Sequence, residues 1–258
     1  MLPAFLILAS NLDTYKALLS TKISYASSKV GWHEFVPFLK ECIEKHSLNK
    51  VCDVGGGANP MLEKEYVSQQ GLDYSLLDIS QGELDKAPKN YRKILADISS
   101  PEFHSDQEFD LIFSKMLAEH IYDAENFHKN VLSLLSDKGM AVHFFPTLFA
   151  FPFVVNYLIP ERLANKLLNL FSPRDRYQYG KFPAYYHWCY GPSRKQLNRF
   201  ISLGYEIVEY RGFFGHSYYN RIKPLKKLHN LKTNYLVSHP KSFFTSYAYV
   251  VLKKASKS

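Results

Sequence analysis

From Trp32 to Phe145 the chain alternates short apolar runs with stretches whose apolar positions recur every three to four residues. Phe35, Phe38, Leu39, Cys42 and Ile43 share one face of a helix predicted over Trp32–His46, with Pro37 in its first turn, where a missing N–H is tolerated. Buried strands are predicted over Lys50–Val54, Tyr74–Asp78, Lys93–Asp97, Phe109–Ser114 and Met140–Phe145. Helical patterns fill the intervals Pro60–Gln70, Gln81–Lys86 and Ala124–Leu135, the last with Phe127, Val131, Leu134 and Leu135 on one face. Strands alternating with helices imply a parallel sheet with right-handed crossovers and helices on both faces. Ligands of such sheets lie at the carboxyl ends of the strands.

After Pro146 the pattern changes. Residues 147–192 are rich in aromatics and proline without strand alternation, which predicts a helical, aromatic cap inserted after the fifth strand. A helix over Ser193–Leu203 then returns to a sixth strand, Tyr205–Tyr210, and a seventh, Phe243–Leu252, expected as an antiparallel edge pair. The fold class that follows is α/β, a Rossmann-like, mostly parallel seven-stranded sheet within one domain over residues 1–258. Residues 1–31 form an expected N-terminal capping segment, and residues 212–242 a basic insertion before the last strand.

The 46% hydrophobic content of 258 residues suffices for one large core. The net charge of +8 is uneven, because no Asp or Glu follows Glu209 while Arg211, Arg221, Lys223, Lys226, Lys227, Lys232, Lys241, Lys253, Lys254 and Lys257 do. Such a region faces an anionic partner or merely solvates the surface. Cys42, Cys52 and Cys189 are far apart with no C-x-x-C pair, so neither a disulfide framework nor a metal site is expected. The apolar opening Met1–Ala9 is too short to span a bilayer and reads as a packing segment. A cytoplasmic location is expected, with the inner face of a membrane as the other candidate.

The chemistry begins where the first strand ends in Asp53 and runs into Gly55-Gly56-Gly57-Ala58-Asn59-Pro60. Glycines let the backbone pass close to a ligand, and a following helix N-terminus would offer unpaired N–H groups to an anionic or polar tail. Dinucleotide enzymes and ligand-free turns share this feature. Asp78 closes the second strand about twenty residues on, where such folds place the acid that accepts ribose hydroxyls. Asp97 closes the third strand in the same way, followed by Ile98. Either aspartate reads equally as a helix N-cap. A dinucleotide fingerprint starting at Gly55 would need glycine where Pro60 stands, which argues against a dehydrogenase.

Val51–Gly57, Leu76-Leu77-Asp78-Ile79-Ser80, Ala96-Asp97-Ile98 and Phe109–Ile121 together resemble, in order and spacing, the class I S-adenosylmethionine-dependent methyltransferases of the generic methyltransferase-domain group. The resemblance spans roughly Trp32 to Pro146. It implies an enzyme that binds S-adenosylmethionine. Asp53 with Gly55, Gly56 and Gly57 would hold the methionine portion, Asp78 with Ile79 the ribose, and Asp97 with Ile98 the adenine. Ser114, Lys115 and Met116 would floor the site beneath the sulfonium, and His120 would be a further cofactor contact. Asn59 stands where the family has its third glycine, and Lys115 where a small or amide residue is usual. A cation beside a sulfonium is unfavourable unless its amine points away.

Methyl transfer needs mainly proximity and orientation, with a general base for hydroxyl or ammonium acceptors. His187, in the aromatic stretch Pro183–Trp188, and His143, in the fifth strand, are the base candidates, the second also reading as a core histidine. The cap would exclude water, and Arg162, Arg174, Arg176 and Lys181 could bind an acidic group on the acceptor. The expected acceptor is a small molecule or glycan methylated at oxygen. The alternatives are a membrane-associated lipid or quinone methyltransferase, with Tyr157–Phe171 resting on the bilayer, and a non-catalytic cofactor-binding or RNA-binding protein on the same fold. Nucleic acid is disfavoured because the basic region carries no recognition module and Ser114-Lys115-Met116-Leu117 replaces the Asn/Asp-Pro-Pro-aromatic motif of amine methylation.

Overall fold

A computed structural model describes residues 20–150, 154 and 183–255. The strands in chain order are β1 (Lys22–Ser27), β2 (Lys50–Val54), β3 (Asp73–Asp78), β4 (Arg92–Leu95), β5 (Phe109–Lys115), β6 (Leu135–Pro146), β7 (Tyr205–Phe214) and β8 (Tyr247–Lys254). They form one sheet in the order β1-β7-β8-β6-β5-β2-β3-β4. All neighbours are parallel except β8, which runs antiparallel to both β6 and β7. The sheet is therefore Rossmann-like as expected, with one strand more than the pattern predicted.

That added strand changes the edge. Lys22–Ser27 pairs parallel with β7 over its whole length, so the antiparallel β7–β8 pair lies inside the sheet and not at its rim. This corrects the expected capping role for the last part of residues 1–31; Lys22, Ser24 and Ser27 interrupt the apolar positions of the segment, the usual composition of a strand with one neighbour. Opposite charges anchor the edge: Glu209 on β7 is 7% exposed and accepts from Ser24 Oγ at 3.3 Å, with Lys22 Nζ at 3.4 Å.

The helices are α1 (Ser28–His46), α2 (Lys64–Gln70), α3 (Gln81–Lys86), α4 (Ala124–Leu134), α5 (Arg194–Ser202) and α6 (Lys223–Ser238). α1 begins four residues before the predicted start at Trp32, which places Pro37 inside it. Its face of Phe35, Leu39, Cys42 and Ile43 is buried as the periodicity requires. Phe35 stacks on Phe144 of β6, with ring centroids 5.2 Å apart. α3, α4 and α5 start under side-chain caps, in which Ser80 accepts from the Glu83 N–H, Asp123 from Asn126 and Ser193 from Gln196. The basic insertion contains α6, which the sequence pattern did not predict. Of the cap over 147–192, the described residues are 147–150, 154 and 183–192. Arg162, Arg174, Arg176, Lys181 and the Tyr157–Phe171 stretch lie outside the described residues.

The chain builds β2, β3 and β4 outward in one direction, then returns to lay β5 against the other side of β2. This reversal opens a crevice between the carboxyl ends of β2 and β5, the position where open α/β sheets bind ligands. Leu111, Ile112 and Phe113 of β5 have no exposure, so the strand tips at this crevice are held by a packed core on both faces.

Candidate functional site

The turn after β2 is shaped by its glycines and by one buried acid. Gly55 and Gly57 have φ of 76° and 27°, in the left-handed region that favours glycine. A methyl on Gly56 would stand 2.6 Å from the Asp53 carboxylate, and one on Gly57 2.8 Å from Asp78 Oδ2. The backbone thus passes against two carboxylates with no room for a side chain. Asn59 is exposed and closes the turn by donating its N–H to the Gly56 carbonyl at 2.8 Å.

Asp53 is 2% exposed, and its Oδ2 accepts from the Tyr74 hydroxyl at 2.7 Å and from the Met61 N–H at 2.8 Å. Burial raises its pKa to about 6, against the lowering effect of those two bonds. The carboxylate therefore sits under the loop and fixes it from below, and its bonds are to the chain's own donors. The helix expected from Pro60 starts only at Lys64: Met61 gives its N–H to Asp53 and the chain stays irregular to the N-cap at Glu63. The turn accordingly offers glycine backbone, not a helix N-terminus.

Asp78, at the tip of β3, is half-buried; its Oδ1 accepts from the Ser80 N–H at 2.9 Å while Oδ2 faces the Gly57 backbone. Burial raises its pKa. Next to it Ile79 is 63% exposed, a large apolar side chain in solvent at a strand end. Asp97 is exposed, and its Oδ1 accepts from both the N–H and the hydroxyl of Ser99. Ile98 departs from expectation, since it is 4% exposed and belongs to the core. The apolar surface beside Asp78 and Asp97 comes instead from Ile79 and Leu95.

At the tip of β5 the residues divide between two faces. Ser114 has no exposure and its Oγ lies 2.8 Å from His143 Nδ1, so its side chain belongs to the core beneath the floor. His143 is likewise fully buried, among Phe127 and His128, and burial lowers its pKa to about 3. An enclosed, neutral imidazole cannot reach an acceptor, which removes His143 from the base candidates and makes it a core histidine. Lys115 points to the opposite face. Its Nζ lies 4.8 Å from the Trp32 ring centroid, 5.9 Å from that of Phe35 and 4.0 Å from Met61 Sδ. Burial lowers its pKa. Met116 then takes φ 56°, donating its N–H to the Phe144 carbonyl at 2.7 Å. This strained, non-glycine residue turns the chain sharply over the crevice.

The segment beyond carries a buried acid that the sequence motif contains but does not explain. Glu119 is 4% exposed, and among the described residues its Oε2 has no hydrogen-bond partner. Burial raises its pKa to about 8. Its backbone carbonyl accepts from the N–H groups of Tyr185 and Tyr186 at 2.7 and 3.1 Å, which ties the end of the cap to the crevice. His120 Nδ1 lies 2.7 Å from the Pro183 carbonyl and its Nε2 lies 3.7 Å from Glu119 Oε1. His187 is exposed at the rim, with Nδ1 bonded to the Tyr122 carbonyl and its ring beside those of Tyr122 and Tyr185. Two exposed aromatics that the motifs did not single out stand nearby in separate clusters: Tyr122, 69% exposed, edge-on to Tyr185, and Trp32, 41% exposed, against Phe144, Tyr247 and Lys115. Among the described residues no group of His, Cys, Asp and Glu is arranged to hold a metal ion.

The adenosyl cofactor implied by the motifs fits this arrangement. A cradle with no Cβ atoms lies against a strand-end carboxylate, and an exposed apolar residue stands beside it. Residues 52–143 match the family model described as a methyltransferase domain. No curated protein matches the chain. Among solved structures, an S-adenosylmethionine-dependent methyltransferase from Clostridium acetobutylicum is 15% identical with a TM-score of 0.51, covering 87% of this chain and 92% of its own. A phosphoethanolamine N-methyltransferase from Haemonchus contortus is 13% identical with a TM-score of 0.49, over 81% of this chain and 49% of its own. A sugar N-methyltransferase from Streptoalloteichus is 13% identical with a TM-score of 0.37, over 42% and 46%. The first of these shows the fold.

Proposed function

We propose that this chain is a class I S-adenosylmethionine-dependent methyltransferase, a reading supported by the methyltransferase-domain match over residues 52–143, and that it moves the methyl group to a hydroxyl of a small-molecule or glycan acceptor. The bound cofactor supplies a methyl already activated by a sulfonium. The chain's residues hold and orient it. Gly55, Gly56 and Gly57 give the close backbone approach, Asp78 accepts the ribose hydroxyls, Ile79 covers one face of the adenine, and Asp97 stands where its amino group would be met. Asp53 acts through the loop it anchors. Tyr122, Tyr185 and His187 border the acceptor side, where His187 is the remaining base candidate.

The observation that supports a hydroxyl over an amine is Lys115. Among the described residues its ammonium, at the tip of β5, has aromatic faces and a thioether beside it, and an acceptor that stays cationic when bound, as a protonated amine does, would be repelled there. Calorimetric titration with S-adenosylhomocysteine tests the cofactor reading, and Asp78→Ala should weaken that binding by at least about tenfold; an unchanged affinity refutes the ribose role. Labelled methyl transfer into fractionated cell extract, with the product sorted by ether or amine chemistry, tests the acceptor.

A second reading, methylation of a lipid or quinone at a membrane, has one observation in its favour. On α6, Leu228, Leu231 and Tyr235 are 64%, 60% and 63% exposed, among Lys223, Lys226, Lys227 and Lys232. No helix among the described residues is long and apolar enough to cross a membrane. Co-sedimentation with anionic vesicles that falls at high salt supports this reading, and absence of binding at low salt removes it.

A further inference from the structure

Lys115 is a half-buried cation placed among groups that favour a positive charge yet supply no counter-charge. Its Nζ stands over the Trp32 indole at 4.8 Å and beside the Met61 thioether at 4.0 Å. No carboxylate among the described residues lies within ion-pair distance of it. Cation–π contact repays part of the desolvation cost of such a group. When the cofactor is bound, a sulfonium would be added to the same crevice, and two like charges in a site with restricted water repel strongly. An anion between them removes both penalties, and the half-exposed ammonium, held in place by the Trp32 face and the Met61 thioether, keeps N–H donors free to receive one.

We propose that Lys115 and Trp32 form an anion-binding subsite of the filled crevice, which holds a carboxylate or phosphate against the Nζ. The inference rests on the cofactor reading above. The anion has two sources, the carboxylate of the cofactor's own amino-acid tail or an acidic group on the acceptor, and one experiment separates them. S-adenosylhomocysteine, which has the tail, and 5′-methylthioadenosine, which lacks it, are titrated by calorimetry into wild type, Lys115→Met and Lys115→Arg. In a second arm the S-adenosylhomocysteine-loaded proteins are titrated with inorganic phosphate and with acetate, followed by tryptophan fluorescence with Trp32→Phe as the control.

If the cofactor tail is the anion, Lys115→Met weakens S-adenosylhomocysteine by about tenfold or more and leaves 5′-methylthioadenosine within about twofold, with Lys115→Arg restoring most of the loss. If the acceptor supplies it, both nucleosides bind Lys115→Met as they bind wild type. The saturable fluorescence response to phosphate or acetate then disappears in Lys115→Met and in Trp32→Phe, and survives in Lys115→Arg. An equal fall for both nucleosides makes Lys115 a support of the crevice and overturns the subsite, as do variants unchanged in every arm. A wild-type chain that binds neither nucleoside overturns the cofactor reading itself, and the subsite with it.

Discussion

Replacing Glu119 with glutamine should make the protein more stable at alkaline pH, and the size of the gain follows from the burial of that side chain. Its pKa rises from an ordinary 4.5 to about 8 because burial penalises the charged form. The folded state therefore holds the proton across a range where the unfolded chain has released it. The raised value means that stability is complete below pH 4.5 and falls as pH rises toward 8. Linkage through these two values gives a cost to the folded state of about 1 kcal/mol at pH 5, about 3 at pH 7 and about 5 at pH 9. Glutamine is nearly the same shape and cannot ionise, so Glu119→Gln removes this slope. Urea unfolding of the ligand-free protein at pH 5, 7 and 9 should show the variant gaining on wild type by at least about 2 kcal/mol between the ends of the series. Parallel curves would mean that the carboxylate ionises without cost, for example through charge pairing with His120, whose Nε2 lies 3.7 Å from Oε1, and would refute the reasoning.

The other expected outcomes concern the crevice and its surroundings. Gly57→Ala puts a methyl 2.8 Å from Asp78 Oδ2 at a residue with φ 27°, so it should weaken S-adenosylhomocysteine by about tenfold or more in calorimetry, and unchanged binding would show that the turn can open. Asp78→Ala should lower the same affinity by a similar factor. Lys115→Met should separate the two nucleosides, or abolish the anion response of the loaded protein. Vesicle binding through α6 should be salt-sensitive if the membrane reading holds.

The strands around the crevice were legible because each is buried on both faces and so reads as a continuous apolar run. β2 matches its predicted bounds, and β3 and β5 differ by one residue at one end. Of the carboxylates expected at strand ends, Asp78 does close β3, whereas Val54 follows Asp53 within β2 and Asp97 lies two residues beyond the end of β4 at Leu95. β1 was not legible, because an edge strand with half-buried serines and an exposed lysine lacks that contrast. α6 was not, because its apolar positions are left in solvent and produce no single buried face. The start of α2 was not legible either, since Pro60 to Gln70 is helical in composition throughout while the chain stays irregular up to the N-cap at Glu63.

The sequence by itself determined the α/β class, the order of the motifs and the list of polar residues at strand ends, since these depend on local periodicity and on spacing along the chain. Which of those residues face the crevice was decided by tertiary structure. Ser114 and Lys115 are neighbours on one strand, but alternate side chains point to opposite faces, so one enters the core with His143 and the other stands over Trp32. Asp53 and Asp78 both lie at the carboxyl ends of strands, yet Tyr74 and Met61 hold the first beneath the turn while the second remains against the glycine backbone. Burial set the charge of Glu119 and His143, and burial depends on what the whole chain packs around a residue, which its neighbours in sequence do not specify.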